Sequence, residues 1–110
     1  MKLPNGDRAV VDEGKLRDYL LSRSHPVGRF KADFFFRLGF QAEAWAALAE
    51  RLKEFARDGE AEEATETEYG QKYLVSGTLT GPTGSSAQVV TVWIVPAGGD
   101  IPRLITVYPM

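Results

Sequence analysis

The chain has 110 residues, enough for one domain that buries its own core and too few for two. It has no cysteine and a single histidine, which excludes disulfide frameworks, thiolate metal sites, cysteine nucleophiles and multi-histidine metal centres. The formal net charge of −2 conceals a division: residues 54–68 carry seven acidic side chains against Arg57, and the rest of the chain is net basic, enough for weak attraction to phosphate.

From the N-terminus, Pro4, Asn5, Gly6 and Asp7 stand where a secretion signal would place its apolar core. The longest apolar-rich run, 89–97, is broken by Thr91 and Pro96 and is too short to span a bilayer. The expectation is a cytoplasmic bacterial protein with no membrane partner. Residues 8–11 offer a short edge strand. Asp12 can cap a helix that begins at Glu13 and aligns Leu16, Tyr19 and Leu20. Pro26 ends that stretch by biasing His25 away from helical backbone. A second helix is expected over 28–38, with Phe30, Phe34 and Leu38 on one stripe and Gly39 as its C-terminal stop. A third runs over 42–56, with Trp45, Leu48, Ala49, Leu52, Phe55 and Ala56 facing one way.

Residues 58–68 lack apolar periodicity and read as a solvated acidic connector. Alternating patterns follow over 73–79, 88–95 and 103–108, separated by Gly- and Pro-containing turns. The fold class is therefore α+β. About three N-terminal helices pack on one face of a small antiparallel sheet of three to four strands. The single domain divides into a helical half 1–57, a connector 58–68 and a sheet 69–110. The aliphatic set Val90, Val92, Ile94, Ile105 and Val107 is expected on the covered face. Thr91, Trp93, Thr106 and Tyr108 are expected on an open one.

Three segments carry chemistry. His25, Gly28, Arg29 and Lys31 combine a proton carrier near neutral pH, a close-approach glycine and two phosphate-binding cations where a loop enters a helix. Tyr69 and Tyr73 can donate hydroxyls or stack a base. Thr91 and Trp93 sit on one strand, with Arg103, Thr106 and Tyr108 on the next. Arg103 contributes only at the bent start of its strand. No dinucleotide or P-loop fingerprint and no nucleophile elbow is found, and the glutamates of 60–68 lack EF-hand spacing. No cofactor or metal is expected.

The runs LPNGDRAVVDEGKLRDYLLSRSHPVGRFKADFFFRLGF, TEYGQKYLVSGTLTGPTG, VVTVWIV and PRLITVYP span most of the chain. Through Leu3, Pro4, Asn5, Tyr19, Leu20, Leu21, His25, Pro26, Gly28, Lys31 and Ala32 the sequence resembles a family of small bacterial domains. Related modules end phage head-morphogenesis proteins and polymorphic toxins. That family is distantly similar to the barnase/colicin/RelE-like ribonucleases, which also pack N-terminal helices on a small antiparallel sheet. The resemblance implies a metal-independent ribonuclease-like toxin, RNA as substrate and a small antitoxin-like protein as partner. It implies His25 as base, a Tyr (Tyr108) or Lys as acid, and Lys31, Arg29 and Thr91 as charge stabilisers; Tyr69, Tyr73, Trp93, Arg103 and Thr106 would line the substrate surface. If the helix after His25 lies on the wrong sheet face, the site reduces to Tyr73, Thr91, Trp93, Thr106 and Tyr108. The alternative is a non-catalytic interaction module that uses the open sheet face, or an immunity-type protein that binds a basic partner through 58–68.

Overall fold

A computed structural model describes residues 1–22, 24 and 29–110, with Arg29 and Phe30 as helix backbone only. It has the expected α+β architecture: α1 (Glu13–Lys15), α2 (Arg29–Arg37) and α3 (Trp45–Asp58) precede β1 (Ala61–Thr67), β2 (Gly70–Thr80), β3 (Ser86–Pro96) and β4 (Arg103–Pro109). The four strands form one antiparallel sheet in the order β1-β2-β3-β4.

Local chemistry accounts for the helices. The Asp12 carboxylate accepts from the Gly14 N–H at the start of α1. The chain then widens into a π-helical turn over Leu16–Leu20, closed by the Leu21 N–H on the Leu16 carbonyl at 2.8 Å. The wider turn turns Leu16, Leu20 and Leu21 all into the core. At the end of α2, Gly39 takes φ 97°, and the N–H groups of Phe40 and Gly39 return to the carbonyls of Phe35 and Phe36. This pair of bonds is a Schellman stop, and Phe40 packs back into the same core as Phe35. Along α3, Leu48, Ala49, Leu52 and Ala56 are buried on one stripe.

Two sequence expectations are corrected. Residues 61–67 are a strand, not a connector: β1 pairs with β2 from Ala61↔Val75 to Thr67↔Gly70, and Ala61 anchors it in the core while the other six residues are exposed. An edge strand can be this acidic because beyond Ala61 both of its faces lie in water and its backbone alone makes the pairing. Near the N-terminus, Val10 forms an isolated parallel bridge to Arg103, exchanging bonds with Pro102 and Leu104.

The second correction concerns the sheet faces. The helix-covered rows are Tyr73–Trp93–Leu104 and Val75–Thr91–Val107. Thr91 and Trp93 are both 0% exposed. Val90 and Val92, expected inside, lie on the opposite face beside Ser76 and Leu74. A register shift between Val92 and Trp93 inserts an extra residue in β4. Leu104 and Val107 therefore both face the core, although strict alternation would part them. No helix among the described residues is long and apolar enough to cross a membrane.

Candidate functional site

The predicted site residues separate into three groups. His25 and Gly28 lie outside the described residues, as does the side chain of Arg29. Tyr73, Thr91 and Trp93 belong to the core. The Thr91 hydroxyl donates to the Val75 carbonyl at 2.7 Å and accepts from the Trp93 indole N–H at 2.8 Å. This is the exchange a buried hydroxyl and a buried indole need to avoid an unmet desolvation cost. The hydroxyl is thus committed to holding β2 and β3, and no substrate reaches it.

The third group is accessible. Lys31 projects from α2 to the edge strand β4, where its ammonium donates to the Thr106 hydroxyl at 2.6 Å. The same ammonium lies 5.5 Å from the centre of the Tyr19 ring, and the Lys15 ammonium lies 5.3 Å from it. Two cations therefore converge on one phenol of the π-helical turn, and one of them, Lys31, also meets the Thr106 hydroxyl. Lys15, Tyr19, Lys31 and Thr106 are all half-buried, so the cluster is partly shielded from bulk water yet open to a ligand. An ammonium carries three N–H donors, and here one is directed to Thr106. Cations and hydroxyls in this arrangement suit an oxyanion such as a phosphate.

The remaining predicted residues are dispersed. Tyr108 is 38% exposed and sits two residues beyond Thr106, opposite Val90. Arg103 is exposed at the start of β4, opposite Ile94. Tyr69 is 73% exposed at the turn between β1 and β2. Sequence reasoning missed Lys15 and Tyr19. Their i,i+4 spacing was a usable signal, but Tyr19 also fitted the apolar stripe of its helix. The approach of Lys31 to both Tyr19 and Thr106 is a tertiary event. Among the described residues, no cluster of three or more acidic or histidine side chains has a metal-binding arrangement.

Comparison with known proteins gives a family and a fold. A family model described as a domain of unknown function (DUF6883) matches residues 2–110. No curated protein matches the chain. Among solved structures, a chain from a contact-dependent growth inhibition toxin–immunity protein complex of Klebsiella pneumoniae 342 superposes with a TM-score of 0.69. The two are 24% identical, and the match covers 93% of this chain and 100% of that one. This likeness shows a shared fold.

Proposed function

Since the chain belongs to the DUF6883 family over all but its first residue, we propose that this fold serves it as a toxin-type domain that cleaves RNA at the Lys31–Thr106 site. The observation that carries the reading is that Lys31 and Lys15 converge on Tyr19 while Lys31 also meets the Thr106 hydroxyl. The toxin–immunity setting of a chain with the same fold supports it.

In the proposed reaction the RNA 2′-hydroxyl attacks the adjacent phosphorus. His25 takes its proton, the bond from phosphorus to the 5′ oxygen breaks, and a 2′,3′-cyclic phosphate forms. Lys31 stabilises the growing phosphoryl charge and stands as proton donor to the departing 5′ oxygen, with the Thr106 hydroxyl orienting it. The stabilising role expected of Thr91 passes to Thr106, because Thr106, unlike the buried Thr91, has its hydroxyl at an accessible cation. Arg29, Tyr69, Arg103 and Tyr108 are proposed as substrate contacts outside this centre.

The test incubates purified protein with total RNA in EDTA, beside His25→Ala, Lys31→Met and Thr106→Val. The expected result is fragments ending in cyclic phosphate, with a loss of about 10²–10⁴-fold in His25→Ala. Intact RNA throughout, with no growth defect on expression, overturns the proposal. The non-catalytic alternative is favoured by one observation: Leu74, Val90, Val92 and Ile94 share the sheet face away from the helices, with Tyr108 exposed beside Val90. An inactive protein that co-purifies with its small partner would support it.

A further inference from the structure

The chain has a single asparagine, and a glycine follows it: Asn5-Gly6. The fold favours both residues. Gly6 is buried, and a Cβ there would run into the Ala56 carbonyl. Asn5 takes φ 53° and ψ 35°, the left-handed region in which asparagine is one of the few side chains at ease. Its side-chain amide donates to the Asp100 carbonyl at 2.8 Å, in the turn between β3 and β4.

This corner fastens a strap. Residues 1–11 cross from one side of the sheet to the other: Lys2 bridges Glu60 just before β1, and Val10 bridges Arg103 of β4. Between them Leu3, 3% exposed, enters the core. The Gly6 N–H donates to the Leu3 carbonyl at 3.0 Å, and the Arg8 N–H donates to the Asn5 carbonyl at 2.9 Å.

Glycine after asparagine leaves the intervening backbone nitrogen unhindered, and asparagine is thermolabile for that reason. The Gly6 nitrogen gives its proton to base and attacks Asn5 Cγ. The Cγ–Nδ2 bond breaks and ammonia leaves. Water then opens the five-membered imide to aspartate or to isoaspartate. In the folded chain both reacting groups are engaged, the Gly6 N–H by Leu3 and the Asn5 amide by Asp100. The reaction therefore requires the strap to open, and its rate follows the open population.

We propose that Asn5 is a deamidation site gated by this strap, so that an opening captured by imide closure becomes permanent. Aspartate at position 5 has no N–H to give the Asp100 carbonyl. In isoaspartate the main chain runs through Cγ, and the carbonyl that accepts from Arg8 becomes part of a free carboxylate. Neither product restores both bonds. Asn5 and Gly6 take no part in the Lys31–Thr106 contact, so the proposal stands or falls independently of RNA cleavage.

The test holds the purified chain at mildly alkaline pH in heavy-oxygen water and follows it by intact mass and peptide mapping. With one asparagine in the chain, an amide-to-acid mass gain in the peptide spanning 3–8 assigns Asn5. Conversion should be at least ~10-fold slower in the folded protein than in urea. Leu3→Ala removes the core anchor of the strap, and the milder Lys2→Ala removes its bond to the Asp58 carbonyl. Both should speed conversion more than Thr91→Val, which lowers global stability away from the strap. The converted protein should exchange its amides faster over residues 6–10. Three results overturn the proposal: equal rates in the folded protein and in urea, an acceleration by Thr91→Val as large as by the strap variants, or converted protein whose strap amides exchange as slowly as before.

Discussion

The Lys31 ammonium sits 2.6 Å from the Thr106 hydroxyl and ties α2 to the edge strand β4 across 75 positions of the chain. A hydrogen bond from a charged donor in a half-buried setting is stronger than a neutral one. Thr106→Val and Lys31→Met should therefore each lower stability by about 1–2 kcal/mol in urea denaturation. The double variant should show a coupling of about 0.5–1.5 kcal/mol. Strict additivity would mean that the two side chains do not meet in solution.

Thr91→Val should behave differently. Valine fills the same volume but leaves the Trp93 indole N–H and the Val75 carbonyl without their partner in a dry core. The expected loss is about 1–3 kcal/mol, with Thr91→Ser retaining most of the stability. Cleavage per folded molecule should be unchanged. A specific loss of cleavage in a stably folded Thr91→Val protein would contradict the structural role given to this hydroxyl.

Two glycines with positive φ separate backbone strain from crowding. At Gly84, φ is 88° and a Cβ would meet nothing within 4 Å. Gly84→Ala should cost about 1 kcal/mol, the backbone term alone. At Gly39, φ is 97° and a Cβ would lie 2.8 Å from Thr83 Cγ2 and 3.1 Å from the Thr83 N. Gly39→Ala should be clearly the more destabilising, with a midpoint lowered further in thermal unfolding. Equal effects would show that the turn after β2 yields freely to the end of α2.

Acid should weaken the tie between the N-terminus and Glu60. The Met1 ammonium donates to the Glu60 carboxylate at 2.8 Å, and this bond, with the charge of the ammonium, holds Glu60 below its ordinary carboxylate value. Asp58 is lowered in the same direction, chiefly by its hydrogen bond from Arg57. A lowered carboxyl contributes stability above its unfolded value and loses it as pH falls through the folded one. NMR titration should find Glu60 ionising below the ordinary glutamate value. N-terminal acetylation should erase that difference, and its persistence after acetylation would exclude the ammonium as the cause.

The helices were legible because each carries its own signal. Asp12 marks a cap, Gly39 marks a stop, and the stripe from Leu48 to Ala56 marks a buried face. These depend on residues within one or two turns of each other. The acidic β1 was not legible: its strand character comes from pairing with β2, and one buried residue, Ala61, is too small a signal against five glutamates in 60–68.

Composition and periodicity by themselves determined an α+β fold, helices first and sheet second, in a sequence without a thiol. Tertiary structure alone decided which face of β3 is inside. Both of its faces are apolar enough to be buried, and a pairing offset of one residue exchanges them. Register against Tyr73 and Val75, together with the shift in β4, put Thr91 and Trp93 in the core and left Thr106 for Lys31. A contact between a helix and an edge strand 75 residues apart has no local pattern, because its geometry exists only once the layers have packed.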